Sequence, residues 1–257
     1  RYKFEDALMK HIRHALKDVD GEFAVTKEAG RIYAEAKGEF DLDEAVEALK
    51  CVFGIAAICP LVRIEDRGYD DLKEQVVKYI DQVYPDKHFT FKVDARRSNK
   101  HYPVNSEQIN RDLGEVILET FPETKVDVRH PELVVHLEVR DYAAYVHAAP
   151  AQGAGGLPVG SNGRAVTLLS GGIDSPVSTW MITRRGVRCI PVHFFSFPYT
   201  SEAAKEKVVE LARLLTPWCG QMCLEVVPFT HIQEEIRAKC PEEYFTLVMR
   251  RFMMRIA

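Results

Sequence analysis

The sequence predicts a multidomain chain, α/β towards its end and α+β before that, and three observations carry the reading. From about Ala165 onwards, apolar strands alternate with helical stretches, the pattern of a parallel sheet covered by helices. Over roughly residues 58–150, helices are mixed with short, half-buried strands, as in a sheet layered with helices. Between the two lies PAQGAGGLPVGSNGR, Pro150 to Arg164, rich in glycine and without any period. Such a stretch reads as a domain connection.

The elements follow in order. In residues 1–57, Phe4, Leu8, Ile12, Leu16 and Val19 recur at helical spacing. EFAVTKEAG and RIYAEAKG read as two strands around Gly30, and DLDEAVEALKCVFG reads as a helix capped by Asp41 and stopped near Gly54. In residues 58–150, AICPLVRIE is a strand and Tyr69 to Val83 a helix. FTFKVDA alternates apolar and polar residues, as a half-buried strand does. A basic loop, Arg96-Arg97-Ser98-Asn99-Lys100-His101, follows it. Asn105 or Ser106 caps a helix to about Phe121, and VDV, LVVHLEVRD and AAYVHAA supply more strands. From Ala165, strands are expected at Val166–Leu169, Val187–Phe195 and Met222–Phe229. Helices are expected at Pro176–Arg185 and Glu202–Leu215, with more to the end.

Composition narrows the function classes. The chain has 257 residues, 46% hydrophobic and 28% charged, with a formal net charge of −4. It is not a uniformly basic nucleic-acid binder, so any such contact needs a local basic patch. No apolar run approaches the ~18 residues of a membrane span, so no membrane partner is expected. The six cysteines form no CxxC pair. Cys219 and Cys223 make one CxxxC, a weak metal signal beside the reading of incidental thiols. A reducing, cytoplasmic setting fits best. The chain opens on Arg1 rather than Met and closes on Ala257 inside an apparent helix, so both ends are expected to have been lost.

The strongest local signal is VTLLSGGIDSPVSTWMITRRG, Val166 to Gly186. A strand runs into Ser170-Gly171-Gly172-Ile173-Asp174-Ser175 and then into a helix, with Ser175 as the expected cap and Pro176 as the expected first helical residue. Free N–H groups at a helix start favour an anion, glycines let it approach, and the serine hydroxyls add donors. No Gly-Lys-Ser/Thr follows, so this is not a Walker A loop. GAGG in the connection is not a dinucleotide motif, because no strand leads directly into it and no helix opens from it. Ligands of parallel sheets sit at the carboxyl ends of the strands, where Ser170–Ser175 and His193–Pro198 both lie. Asp174 beside a phosphate calls for Mg²⁺ between them; its bland alternative is an acid at a helix start. His193 reads equally as a ligand contact or a satisfied core residue. Lys205 and Lys207 read as a solvated helix face.

SGGxDS resembles the PP-loop of ATP pyrophosphatases, which cleave ATP between the α- and β-phosphates. LLSGGIDSPV, VHFFSFPYTSEAAKEKV and RRFMMRIA stand in the order seen in tRNA 4-thiouridine synthetases, also called tRNA sulfurtransferases or thiamine biosynthesis sulfurtransferases. FKVDARRSNKHYPVNS resembles the core of their THUMP domain, GGLPVG their interdomain segment, and RYKFEDAL a helix of their N-terminal ferredoxin-like domain. The resemblance implies a ferredoxin-like domain over 1–57, a THUMP RNA-binding domain over 58–150 and a linker over 151–164. Residues 165–257 would then be a Rossmann-like PP-loop domain of the adenine nucleotide alpha hydrolase type, incomplete at its C-terminal end. The family's strand and GE…LKG segment before Arg1 are missing, as are the TGE…GQ segment and reactive cysteine past Ala257.

The resemblance also assigns roles. Leu168 and Leu169 would touch the nucleotide through their backbone, Ser170, Gly171, Gly172 and Ser175 would hold the phosphates, and Asp174 would be catalytic and bind Mg²⁺. His193 and Phe194 would lie against adenine or ribose, and Arg250 or its neighbour Arg251 would face the phosphates. Arg96, Arg97, Asn99 and Lys100, with His101, would grip tRNA. Cys219, Cys223 and Cys240 do not match the sulfur-carrying position. ATP would adenylate uridine 8 of tRNA, and a persulfide from a cysteine desulfurase or another donor would give 4-thiouridine; many members also supply sulfur for the thiazole of thiamine. A homodimer is compatible with this reading. A tRNA-binding module with a vestigial nucleotide site stays open beside it, as does, less favoured, a PP-loop synthetase unrelated to RNA.

Overall fold

The computed structural model describes residues 2–28, 30–65, 67–98, 100–140, 143–147 and 150–257. The chain forms two compact units. One is residues 58–151; the other joins residues 1–57 to residues 152–257.

In the unit of residues 58–151, β4 (Leu61–Glu65), β5 (Thr90–Arg97), β6 (Lys125–Val126), β7 (Leu133–Val139) and β8 (Ala143–His147) form one sheet in the order β4-β8-β7-β5-β6. β4, β8 and β7 run antiparallel to their neighbours, whereas β7, β5 and β6 are parallel. AICPLVRIE is not one strand. It breaks at Pro60, which has no N–H for a ladder, into β3 (Ala57–Ile58) and β4. Helices α3 (Tyr69–Val83) and α4 (Ser106–Thr120) pack on the sheet. Leu72, Val76 and Ile80 of α3, and Ile109, Leu113 and Ile117 of α4, repeat every four residues and so share a face; all are buried. Each such side chain contributes about 1.5–3 kcal/mol. They pack with Phe91, Val135, Leu137 and Val146 of the strands. Asn105 caps α4 by accepting from the Gln108 N–H at 2.9 Å.

The other unit begins with α1 (Tyr2–Ala15), a 3₁₀ turn over Leu16–Asp18, the antiparallel hairpin β1 (Glu22–Glu28) and β2 (Arg31–Lys37), and α2 (Leu42–Lys50). Asp41 caps α2 through the Glu44 N–H. Leu8, Ile12, Leu16, Val19, Val25, Ala45 and Val52 close its core. After β9 (Ala151–Gln152), which pairs with β3, comes a parallel sheet of β10 (Arg164–Leu168), β11 (Arg188–Phe195) and β12 (Glu225–Pro228) in that order. α5 (Asp174–Thr183) follows β10, α6 (Glu202–Cys219) follows β11, and α7 (Thr230–Lys239) and α8 (Phe245–Ile256) follow β12. α6 runs one turn beyond the expected Leu215 and passes through Pro217. Pro217 offers no N–H to the Arg213 carbonyl four residues before it, and Thr216 Oγ1 donates to the Ala212 carbonyl at 3.1 Å.

The glycine-rich connection is a packed strap. Gly155 N–H donates to Ile55 O at 2.7 Å and Gly54 N–H to Gly155 O at 2.8 Å. Leu157 N–H donates to Arg184 O, Asn162 N–H to Gly186 O, and His11 Nε2 to Val159 O at 3.1 Å. Val159 is buried. Phe53, Trp180 and Trp218 meet pairwise at 5.3–5.7 Å between ring centroids. The two ends of the chain therefore share one body, with the strap woven between them.

Candidate nucleotide site and nucleic-acid face

β10 stops at Leu168. The Leu169 N–H still donates to Val192 O at 2.8 Å, and its side chain is buried. The loop then turns at Ser170 and α5 starts at Asp174, two residues before the expected Pro176. Ser175 is therefore inside the helix and does not cap it. Its hydroxyl reaches back across the turn, donating to Ser170 O at 3.1 Å and accepting from Ser170 N–H at 2.9 Å; the two serine hydroxyls lie 3.1 Å apart. Pro176 is tolerated because N–H groups of the first turn lack helical partners anyway.

No side chain caps the start of α5. Its uncapped N–H groups and dipole face the open loop, the arrangement that receives an anion. Gly171 and Gly172 do not have positive φ. A Cβ at Gly171 would meet only Lys207 Cδ at 3.6 Å, and one at Gly172 only Ser170 Oγ at 3.6 Å. Nothing among the described residues demands glycine at either position. Asp174 is exposed, and its carboxylate forms no hydrogen bond or ion pair among the described residues.

His193 settles into β11 beside this loop. Its Nδ1 lies 3.0 Å from Leu169 O, and a carbonyl only accepts, so Nδ1 carries the proton. In the tautomer with only Nδ1 protonated, Nε2 is an acceptor. It is buried without a partner among the described residues. A buried orphan acceptor is costly unless a ligand donor fills it. Phosphate offers no such donor, whereas a ribose hydroxyl or an exocyclic amine does. The polar groups therefore fit a nucleotide whose sugar or base meets His193 and whose phosphates meet the 170–175 loop. Phe194 is half-buried and packs edge-on against Phe229 at 5.2 Å.

Arg250 and Arg251 are exposed on α8, which packs against α7; neither guanidinium forms an ion pair among the described residues. The sequence reads Lys207 as part of a solvated helix face, yet its Cδ lies 3.6 Å from the place a Gly171 Cβ would take. The only signal for it was its place on the helix after His193–Pro198. Lys205 differs: it pairs with Glu202 and lies 4.8 Å over the Phe195 ring.

Cys189, Cys219 and Cys223 are not primed as nucleophiles. Burial pushes Cys219 up to about 11 and raises Cys189, and Thr183 Oγ1 sits 3.2 Å from Cys189 Sγ and 3.5 Å from Cys219 Sγ. Cys223 is exposed, but its bond to Glu225 raises it as well. Thiolate, the reactive form, is disfavoured at all three. A separate cleft of about 450 Å³, lined by His11, Cys51, Val159, Arg213 and Trp218, lies away from the loop.

In the unit of residues 58–151, the expected basic loop divides. Arg96 and Arg97 belong to the end of β5, because the parallel ladder with β7 extends to Arg97↔Val139. Arg96 is exposed and pairs with Asp94 at 3.2 Å. Arg97 is half-buried, and its Nη1 donates to Tyr102 O and Val104 O, both at 3.0 Å. It holds the following loop in place. Lys100 and His101 are exposed. Asn99 lies outside the described residues.

Three family models match in order: the ThiI ferredoxin-like domain over residues 1–59, the THUMP domain over 66–148, and the thiamine biosynthesis protein (ThiI) over 160–257. A probable tRNA sulfurtransferase of Lachnospira eligens is 50% identical over 257 residues, covering 100% of this chain and 65% of the relative. The chain thus spans 65% of that relative's length. A crystal structure of a 4-thiouridine synthetase–RNA complex with bound ATP superposes with a TM-score of 0.91 at 35% identity, over 100% of this chain and 65% of that one. A Pyrococcus horikoshii Ot3 protein superposes with a TM-score of 0.76 at 26% identity, over 98% of this chain and 95% of that one. With the three models in this order along its length and this agreement in sequence and fold, the chain belongs to the ThiI family.

Proposed function

We propose that this chain is the nucleotide-binding and tRNA-binding part of an ATP-dependent tRNA sulfurtransferase that converts uridine 8 to 4-thiouridine. The observation that carries the reading is the pairing of an open, uncapped SGGIDS turn with the orphan acceptor of His193 at the carboxyl ends of β10 and β11. The related synthetase, whose crystal structure holds RNA and ATP, supports it. The uridine O4 attacks the α-phosphorus and pyrophosphate leaves. A persulfide sulfur, from a cysteine desulfurase or another donor, then attacks C4 and AMP leaves; a second thiol cleaves the S–S bond of that adduct, becoming a disulfide with the donor's cysteine and leaving the outer sulfur on C4. Adenylation matters because AMP departs far more readily than a bare carbonyl oxygen. The same sulfur transfer would serve thiamine thiazole synthesis.

In this reading the backbone of Leu168 and Leu169 touches the nucleotide, Ser170, Gly171, Gly172 and Ser175 receive the phosphates, and His193 and Phe194 receive the sugar or base. Arg250 adds charge from α8, and Asp174 is the catalytic carboxylate. Among the described residues no three His, Cys, Asp or Glu side chains gather as a metal cage. A Mg²⁺ ion would be held by Asp174 together with phosphate oxygens, screening their repulsion. Arg96 and Lys100, with Asn99, would meet tRNA phosphates. The functional division at about residues 57, 150 and 164, a cytoplasmic setting and a homodimer complete the proposal. No helix among the described residues is long and apolar enough to cross a membrane.

Two measurements test it. ATP titrated calorimetrically into this chain should give saturable heat; tRNA binding without any ATP heat would leave only a tRNA-binding module. In the full-length enzyme, Asp174→Ala should abolish tRNA-dependent pyrophosphate release with the fold intact. Near-normal release would reduce Asp174 to an acid at a helix start, worth about 0.3–1 kcal/mol.

A further inference from the structure

We infer that Lys207 is the cation that grips the terminal phosphates of the nucleotide, and so makes the site select a triphosphate over a monophosphate. The inference rests on the nucleotide reading above and adds the charge that the loop lacks. Every donor the loop offers is neutral: backbone N–H groups and two hydroxyls already turned towards each other. The ionisable side chain in the motif itself, Asp174, carries the wrong sign. Neutral donors orient a phosphate, but a polyphosphate in a partly desolvated site also requires opposite charge nearby.

α6 is the element placed to supply it, because it follows β11 and packs against α5. Its basic residues are not equivalent. Lys205 is committed to Glu202 and to the face of Phe195. Arg213 is committed to Glu210. Lys207 is exposed, and its ammonium forms no hydrogen bond or ion pair among the described residues. Its stem nevertheless lies across the motif, with Cδ 3.6 Å from the place a Gly171 Cβ would take. The ammonium is two bonds beyond Cδ, past Cε. It therefore reaches whatever sits over Gly171, and Lys serves there as a point charge rather than a planar fork. Lys207 faces the loop side, where phosphates fit, rather than the acceptor of His193, where they do not.

The test is calorimetric titration of ATP and of AMP into this chain, as wild type, Lys207→Met and Lys207→Arg, with circular dichroism to confirm equal folding. Removing one charge-assisted bond should weaken ATP about tenfold or more in Lys207→Met. AMP affinity should not change, and Lys207→Arg should recover part of the loss. Equal ATP affinity in wild type and Lys207→Met overturns the role of Lys207 while the nucleotide site stands. Equal weakening of ATP and AMP also overturns it, because the residue would then not read the terminal phosphates. Binding of neither nucleotide to the wild type removes the nucleotide reading itself, and this inference with it.

Discussion

Two glycine-rich segments lie close together in the sequence and obey opposite rules. In the strap, glycine is required by the protein. A Cβ on Gly153 would stand 2.3 Å from Ile55 O, and Gly156 has φ +76° with Arg184 O only 2.5 Å from the place a Cβ would take. In the 170–173 loop, a Cβ on either glycine would meet nothing closer than 3.6 Å. One segment uses its glycines for its own packing. The other leaves space and N–H groups open. Glycine content alone does not distinguish a structural strap from a binding loop; what distinguishes them is whether anything within the fold already occupies the room.

The sharpest way to break this comparison is Gly153→Ala. It should destabilise the unit of residues 1–57 and 152–257 by about 3 kcal/mol, through overpacking against backbone that cannot yield. A thermal midpoint equal to wild type would show that the strap has slack. The same distinction divides the two arginines of β5. Arg97→Ala should cost about 1–3 kcal/mol, because the Tyr102 and Val104 carbonyls lose their donor. Gly172→Ala should move the other way, stabilising the fold by about 0.5 kcal/mol while weakening ATP about tenfold. A destabilised protein with unchanged ATP affinity would reverse the assignment of the two segments.

A smaller effect separates Arg96 and Lys100 from Arg97. Arg96→Ala with Lys100→Ala should leave stability nearly unchanged but flatten the log–log salt dependence of tRNA binding, by about 0.7–0.9 for each phosphate no longer neutralised. Filter binding across a salt series reads this directly. The smallest expected effect is on the strap's tether. Burial holds His11 below its usual range, and the positive Arg188 adds to this, as do His14 and Lys10, against the opposing bond to Val159. Protonation therefore favours the unfolded chain. Stability is complete above about pH 6.5 and declines as pH falls from there through the lower folded value. His11→Gln, which keeps a donor for Val159, should remove that slope in pH-dependent calorimetry.

Much of this was legible in the sequence because it depends on local pattern. The four-residue repeats of Leu72–Ile80 and Ile109–Ile117, the Asp41 and Asn105 caps, and the strand before Ser170 all follow from neighbouring residues. The open turn between β10 and α5 was legible for the same reason. What was not legible depends on partners far along the chain or on how a turn closes. Ser175 looks like a cap until Ser170 folds back onto it. Arg97 looks like half of a basic loop until β7 extends the ladder and two carbonyls claim its guanidinium. Lys207 looks like a solvated helix residue until α6 is laid beside Gly171, 36 residues earlier. The orphan nitrogen of His193 follows from its contact with Leu169, which no periodicity reveals.

Both tryptophans of the chain, Trp180 and Trp218, lie in one aromatic cluster with Phe53, and residues 58–151 contain none. The indole emission of this protein is therefore a private optical channel for one of its two units. Excitation near the red edge of indole absorption, where tyrosine is dark, follows the body that carries the 170–175 loop and the strap. The difference between that signal and far-ultraviolet dichroism isolates the other unit. Unfolding, ligand uptake and assembly can thus be tracked separately in the two halves of the molecule, with no label attached.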